Sequence, residues 1–196
     1  MATETFSFPG NNYSKDAIVS ALRFSFKNVP DMPDYKYDED ESVSKIQIYK
    51  EFPRRLFKPP TIVVRAGSST FDLTSLGDDE VLTDKIYDQN VQYVRTWGKM
   101  TVPISIIINT LTTTDREKLT DLTAFFFRHL FRTKFAELGL SYNKISTTGE
   151  GQFEWDNQIV YTNTVQIPIY QEYTSDLPVS IIELIKSFQI TVILDP

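Results

Sequence analysis

The sequence contains no cysteine and a single histidine, His129. Without cysteine the chain has no disulfide bonds, no thiol catalysis and no cysteine-ligated zinc or iron–sulfur centre. A catalytic triad or a histidine metal site would have to use His129, which the pattern places within an amphipathic helix among aromatic residues. A lone histidine in that setting is typical of a core or interface residue, because no metal-ligating partners are spaced around it.

Glycine is scarce, with 7 in 196 residues, and no Walker-type loop, G-x-G-x-x-G or G-x-S-x-G motif occurs. Carboxylates cluster at 38–41 and 78–80, but such runs are typical of solvated loops rather than of an acid–base pair in an apolar pocket. A weak divalent-cation site at either run is the alternative. The sequence therefore predicts no catalytic, cofactor-binding or metal-ligating residue, and we interpret the chain as non-enzymatic.

Long apolar runs are also missing, since the longest, at 104–108 and 124–127, fall far short of the ~20 residues that span a bilayer. The N-terminal residues lack the basic start and apolar centre of a signal peptide. Lys and Arg number 20 against 26 Asp and Glu, for a net charge of −6. We expect a soluble, cytoplasmically made protein with no membrane contact and little affinity for nucleic-acid phosphates.

Apolar spacing predicts an amphipathic helix over 15–27, with Ser14 as its N-cap. Its predicted buried face comprises Ile18, Val19, Leu22 and Phe26. A capping box at Thr114 and Glu117 predicts a second, central helix that ends at Gly139. Phenylalanines widen the apolar surface of that helix beyond one stripe, so we expect it to be buried on two sides, in the fold or against a neighbouring subunit.

Alternating apolar residues predict a set of strands between and after these helices. They cover 46–49, 61–64, 86–97, 100–110, 142–147, 152–155 and 159–173. The last two form a predicted hairpin around Asp156-Asn157, preceded by a turn at 149–151, and Pro168 favours an edge strand or a bulge. The predicted fold is α+β, with a mixed or antiparallel sheet packed against the N-terminal helix and the long central helix.

Two extended arms flank the predicted domain at 14–177: an N-terminal arm at 1–13 and a C-terminal extension at 178–196. The extension could form a short helix followed by a strand, and its apolar character suggests that it packs on something. An acidic loop at 30–42 is either solvated or, through its tyrosines, contacts a basic partner. A basic patch around 54–58 favours an acidic partner surface over nucleic acid.

Interface candidates come from all of these segments. They are Phe6 and Phe8 in the first arm, Tyr35 and Tyr37 in the acidic loop, Arg54, Arg55 and Lys58 in the basic patch, Phe127, Phe131 and Phe135 on the central helix, and Ile181, Leu184 and Phe188 in the extension.

The element order carries a family resemblance. After the N-terminal helix come the strands IYKEFP (48–53) and PPTIVV (59–64), then a strand that runs into the central helix as ISIIINTLTTTDREKLTDL (104–122), and a late strand IVYTNTVQIPIYQEY (159–173). This arrangement resembles the tail terminator, or tail completion, proteins of tailed bacteriophages and related contractile particles. The resemblance covers roughly residues 14–174 and rests on element order and polarity.

The resemblance implies a structural virion protein without an active site. Such proteins form a hexameric ring that caps the tail tube, stops its polymerisation and joins the tail to the head–neck complex. The implied partners are further copies of the chain, the tail tube protein, the sheath protein and a neck or head-completion protein. DNA would pass through the ring without sequence-specific binding. The implied location is the tail–neck junction of the virion, after assembly in the host cytoplasm.

Two other interpretations remain open. The chain could be another neck, connector or baseplate component of a phage tail, which would share its acidic, cysteine-free composition. From a different class, it could be a small-molecule-binding or metal-assisted hydrolase domain with a pocket between sheet and helix.

Overall fold

A computed structural model describes residues 11–28, 33–52, 58–71, 84–88 and 91–178, and it confirms an α+β fold with a mixed sheet. The two predicted arms, apart from 11–13 and Pro178, lie outside the described residues. In chain order the elements are α1 (Asn11–Asn28), a 3-10 turn (Pro33–Tyr35), β1 (Gln47–Tyr49), β2 (Thr61–Ala66), β3 (Thr70–Phe71), β4 (Asp84–Asp88), β5 (Val91–Thr110), α2 (Thr113–His129), α3 (Arg132–Glu137), β6 (Leu140–Ser141), β7 (Ser146–Trp155) and β8 (Gln158–Pro178).

The described residues divide into two compact units. The larger takes its described residues from 11–70 and 100–171, and the smaller from 71–99 and 172–178. Strands β5 and β8 each continue from one unit into the other, so the boundary falls inside strands within the predicted 14–177 domain.

In the larger unit the sheet order is β1-β2-β5-β8-β6, and β7 also pairs with β8. β1 and β2 are parallel, whereas the β2–β5, β6–β8 and β7–β8 pairs are antiparallel, which makes the sheet mixed. Alternate residues of β5 from Val102 to Ile108 are buried, as the period of 2 predicts. Helix α1 packs on β1 and β2, and the Arg23 guanidinium donates to the Ile48 carbonyl at 2.9 Å.

In the smaller unit, β4 pairs antiparallel with the first residues of β5, from Asp84 opposite Arg95 to Asp88 opposite Val91. The single strand predicted over 86–97 is therefore wrong. Its residues belong to two antiparallel strands, β4 and β5. The apolar residues alternate roughly across both strands, so the alternation alone cannot show where one strand ends and the next begins.

Helix α1 confirms the predicted buried face, since Ile18, Val19, Leu22 and Phe26 are all buried. The helix begins at Asn11 rather than after Ser14, which is itself helical and buried. The propensity of serine for N-caps does not decide the start here.

The central helix is capped two residues earlier than predicted. The Thr112 hydroxyl accepts from the Asp115 amide at 3.1 Å and donates to the Asp115 carboxylate at 2.6 Å. Thr114 lies inside the helix, and the Glu117 carboxylate lies 3.6 Å from the Arg116 guanidinium. The predicted capping box at Thr114 and Glu117 is thus wrong, because three consecutive threonines offer competing caps.

The central helix also ends earlier than predicted, at His129. The Phe126 carbonyl accepts from both the Leu130 amide at 2.9 Å and the Phe131 amide at 3.2 Å, and this terminates the helix. Helix α3 follows as a separate element, and Gly139 comes after it with a φ of 71°, which a glycine adopts at no steric cost. The predicted continuous helix to Gly139 is therefore wrong.

The predicted turn at 149–151 is a bulge within β7. The β7–β8 register shifts between Thr148 and Gly151, and Gly149 has a φ of 76°. The strand predicted over 142–147 also differs, because 142–145 form no strand and separate β6 from β7. Pro168 of β8 faces this interruption, since β6 pairs as far as Tyr170 and β7 pairs from Gln166. The missing donor is therefore accommodated in a strand that is not at an edge.

The predicted hairpin is confirmed, with Trp155 opposite Gln158 and a two-residue turn between them. Asp156 and Asn157 have φ values of 50° and 59°, as a type I′ turn requires at both positions.

We expect Asn157→Gly to raise the free energy of unfolding by up to about 1 kcal/mol, because glycine adopts a positive φ without steric cost. Asn157→Val is expected to lower it by about 1–2 kcal/mol, since a β-branched residue is strained in that region. Thermal unfolding followed by circular dichroism measures both variants. Shifts of the same sign would contradict the turn.

Candidate functional site

An apolar groove lies between α1 on one side and α2 with α3 on the other, within the larger unit. Its volume is about 940 Å³. The α1 wall comprises Tyr13, Asp16, Ala17, Ser20, Ala21, Phe24, Ser25 and Asn28. The opposite wall comprises Leu122, Phe125, Phe126, Leu130, Phe131, Lys134, Phe135 and Leu138.

Large apolar side chains in this groove are open to solvent. Phe24 is 66% exposed, Leu130 55% and Phe125 50%, while Tyr13 and Leu138 are each 40% exposed. Isolated apolar residues at a surface need no explanation, but a contiguous group of this kind marks a contact surface in soluble proteins.

Helix α1 supplies one wall because it carries two apolar stripes. Ile18, Leu22 and Phe26 belong to the stripe that is buried in the core. Tyr13, Ala17 and Phe24 recur at i, i+4 and i+11, and this spacing brings them to another side of the same helix. An amphipathic helix needs only the first stripe to fold, so the second is available for a contact.

The other wall is tied to the core through its aromatic rings. The Phe126 ring lies edge-on to Phe26 of α1, with centroids 5.3 Å apart, and Phe125 lies edge-on to Phe126 at 6.4 Å. The His129 ring lies 4.7 Å from the Phe125 ring. His129 itself is an exposed residue in the last turn of α2, so of its two predicted settings, core or interface, the core is wrong.

Several polar groups at the groove are paired within the chain, although the buried Ser25 hydroxyl has no hydrogen-bond partner. The Tyr13 hydroxyl donates to the Leu138 carbonyl at 3.1 Å and joins the two walls. Lys134 pairs with Glu137 at 2.6 Å, and Asp16 forms a salt bridge with Lys50. The groove therefore offers a partner mainly apolar surface.

Three predicted interface residues lie in the core instead. Phe127, Phe131 and Phe135 are 0%, 8% and 1% exposed, and their rings form a cluster with Tyr142 at centroid distances of 5.5 to 6.3 Å. The Tyr142 hydroxyl donates to the Phe127 carbonyl. Their assignment to an interface is corrected, because the three rings, spaced four residues apart, pack on one another and on Tyr142. Phe131 and Phe135 reach the groove only as part of its wall.

The tyrosines of the acidic loop anchor it to the fold. Tyr37 is 8% exposed, and the Arg23 guanidinium lies 5.5 Å from its ring centroid. Tyr35 is half-buried and donates its hydroxyl to the Asp115 carboxylate. The predicted partner contact through Tyr37 is wrong, because the ring is covered by its own chain. The acidic side chains of Glu39, Asp40 and Glu41 are exposed, as the solvated-loop interpretation expects.

Tyr35, Asp115 and Thr112 form a hydrogen-bonded network at the start of α2. Hydrogen bonds from the Thr112 and Tyr35 hydroxyls hold the pKa of the Asp115 carboxyl below its usual value. Burial, followed by the hydrogen bond to Asp115, raises the pKa of Tyr35 well above its usual range. The network joins the acidic loop to the cap of α2.

The remaining predicted interface residues are described only in part. Lys58 is exposed. The others lie outside the described residues: Phe6, Phe8, Arg54, Arg55, Ile181, Leu184 and Phe188.

Sequence reasoning missed the α1 wall of the groove. Phe24 and Tyr13 were absent from the predicted interface, although the spacing from Tyr13 through Ala17 to Phe24 is a readable helical stripe. On the other wall, Phe125 belonged to the excess apolar surface predicted for the central helix, and Leu130 to its main apolar stripe. The predicted contact was assigned instead to Phe127, Phe131 and Phe135, which are buried.

A second, smaller pocket of about 360 Å³ lies on strands β2, β5, β7 and β8. It combines polar and apolar groups, with Arg65, Ser105, Thr148, Thr164 and Gln166 around Ile107. Its mixed lining is the arrangement that a small polar ligand would require.

Within the residues that the structure describes, no group of three or more His, Asp or Glu side chains could hold a metal ion. None of the described helices is both long and apolar enough to cross a membrane. No protein-family model and no curated protein matches this chain.

Proposed function

We propose that this chain is a non-enzymatic tail-terminator subunit of a contractile, phage-like tail, and that it works through protein–protein contacts. Six copies would form a ring that caps the tail tube, contacts the sheath and joins the tail to the head–neck complex. The observation that carries the proposal is the groove with its exposed Phe24, Phe125 and Leu130. The choice of assembly rests on the resemblance in element order over residues 14–174.

The groove fits a protein partner better than a small substrate. Small-molecule sites combine apolar walls with a few convergent polar groups that fix the ligand. Here the charged side chains, Asp16 and Lys134, are already paired with Lys50 and Glu137. Depletion of free charge with enrichment of aromatic residues is instead typical of the centre of a subunit interface.

The charge balance supports passage of DNA through such a ring. A net charge of −6 per subunit offers phosphates little counterion release, so DNA would slide without adhering. A strongly basic lumen in an assembled ring would contradict this part of the proposal.

The test is negative-stain imaging of the purified chain with and without purified tail tubes. We expect six-fold rings or density at tube ends for the wild type. Phe24→Lys should reduce the occupancy of tube ends at least tenfold, because it puts a charge into the apolar contact.

The matched control is Val43→Lys, at a residue that is 60% exposed and does not line the groove. It should assemble as the wild type does. Wild-type protein that stays a compact monomer and ignores tube ends would overturn the proposal, and so would equal loss of assembly in both variants.

A further inference from the structure

We propose that the groove between α1 and α2–α3 binds the C-terminal segment 179–196 of a second copy of this chain. This inference rests on the proposed function, because it names the contact that would hold neighbouring subunits of the ring together. It assigns a single binding partner to the exposed apolar residues of the groove.

The length of the groove sets the size of that occupant. Tyr13 and Phe24 are both exposed on the groove wall and are 11 residues apart on α1, which is about 16 Å along a helix. A helix of about 11 residues would fill this length. The groove offers apolar contacts along it rather than backbone hydrogen-bonding groups, because its walls are mostly helical and the amides of Leu130, Phe131 and Leu138 are bonded within the chain. The geometry thus favours an amphipathic helix laid into a groove.

The segment after β8 has the matching pattern. Ile181, Leu184, Ile185 and Phe188 recur at i, i+3, i+4 and i+7, the spacing of anchors on one face of a helix bound in a groove. On a helical wheel Glu183, Lys186 and Ser187 fall on the opposite side, toward solvent. From Ile181 to Val192 is again 11 residues, or about 16 Å if helical.

The point where the segment begins limits how far from the donor's β8 the acceptor groove can lie. β8 ends at Pro178, and two residues separate it from Ile181, so the three Cα–Cα steps between them span about 10 Å when extended. The acceptor groove must therefore lie close to the end of the donor's β8. A contact that joins the donor segment of one copy to the acceptor groove of the next is head-to-tail, and such interfaces close into rings when the rotation allows it.

The absence of cysteine allows a clean cross-linking test in the full-length chain. One variant carries Ser20→Cys on the groove wall, and a differently tagged variant carries Gln189→Cys in the segment. The two are mixed and oxidised in solution, and a disulfide requires that their Cα atoms approach within about 7 Å. The control replaces Ser20→Cys by Thr133→Cys, an exposed position on α3 that does not line the groove.

We expect at least tenfold more mixed covalent dimer from Ser20→Cys than from Thr133→Cys. Adding Phe188→Asp to the segment variant should abolish the difference while the circular dichroism spectrum is unchanged. Equal, low yields from both positions would overturn the inference. So would a chain carrying both cysteines that closes only its own disulfide as a monomer, since its own segment would then occupy the groove.

The outcomes separate the inference from the function on which it rests. Rings at tube ends without the Ser20 cross-link would support the proposed function and reject the C-terminal segment as the occupant of the groove. A specific cross-link in a protein that does not bind tube ends would support the contact between copies and reject the terminator function.

Discussion

Phe127→Ala is expected to lower the free energy of unfolding by about 3–5 kcal/mol, the range for truncating a fully buried phenylalanine. Phe127 is 0% exposed and its ring contacts Phe131, Phe135 and Tyr142. The loss combines the transfer of the ring from water with the cavity left among neighbours that are themselves fixed by ring contacts. Equilibrium unfolding in urea, followed by circular dichroism, gives the value.

The control is Phe125→Ala, two residues earlier on the same helix. Phe125 is 50% exposed, so we expect its removal to cost less than about 1 kcal/mol. Phe125→Ala, in contrast, should impair assembly directly, because Phe125 lines the groove and Phe127 does not. A Phe127→Ala protein of wild-type stability that fails to assemble would restore the original assignment of this residue to an interface.

Asp115→Asn is expected to lower the free energy of unfolding by about 1.5–3 kcal/mol at neutral pH, the usual range for a hydrogen bond to a charged group. The carboxylate accepts from Thr112 and Tyr35 and lies in the first turn of α2, where the helix dipole favours a negative charge. Tyr35→Phe removes one of these donors and should cost about 1 kcal/mol. Because both changes weaken or remove the hydrogen bond between Tyr35 and residue 115, the double variant should lose less than the sum.

The effect of Asp115 should depend on pH in one direction. Its folded pKa lies below the unfolded value of about 3.9, so its contribution is fully present above about pH 4. The contribution is lost as the pH falls through the lower, folded pKa. The stability difference between wild type and Asp115→Asn should therefore shrink on acidification. Burial raises the pKa of Tyr35, so its hydroxyl remains protonated throughout this range.

Asp121→Asn is the control for this series. Asp121 is an exposed carboxylate on the same helix, beyond the first turn, and its removal should change stability by no more than about 0.5 kcal/mol. A difference between wild type and Asp115→Asn that grows below pH 4 would contradict the network, and so would equal effects at Asp115 and Asp121.

The sequence indicated that the central helix carries apolar surface beyond one core face, but it did not show which residues of that surface are exposed. The excess of phenylalanine on the central helix indicated a contact beyond one core face, and an open apolar surface does lie there. Phe127, Phe131 and Phe135 pack on one another in the core, whereas Phe125 and Leu130 are exposed at the groove. Helical periodicity places apolar residues on several faces of this segment, so it does not show which of those faces the rest of the fold covers.

The N-cap residue of α2 is a second feature that the local sequence does not identify. Thr112, Thr113 and Thr114 are equally suited to cap a helix, and two of them have an acidic residue three positions later. The choice falls on Thr112, whose partner Asp115 is also held by Tyr35, 80 residues away in sequence. No local pattern contains that third contact.

The sequence alone determined the features that depend on local periodicity and on residue chemistry. These are the α+β class, the buried stripe of α1, the alternating core residues of β5, the hairpin at Asp156-Asn157 and the lack of thiol chemistry. Only the tertiary structure decided which phenylalanines are core and which line the groove, and which threonine caps α2. The physical reason is that period and propensity are set by near neighbours, whereas burial is set by residues far apart in the chain.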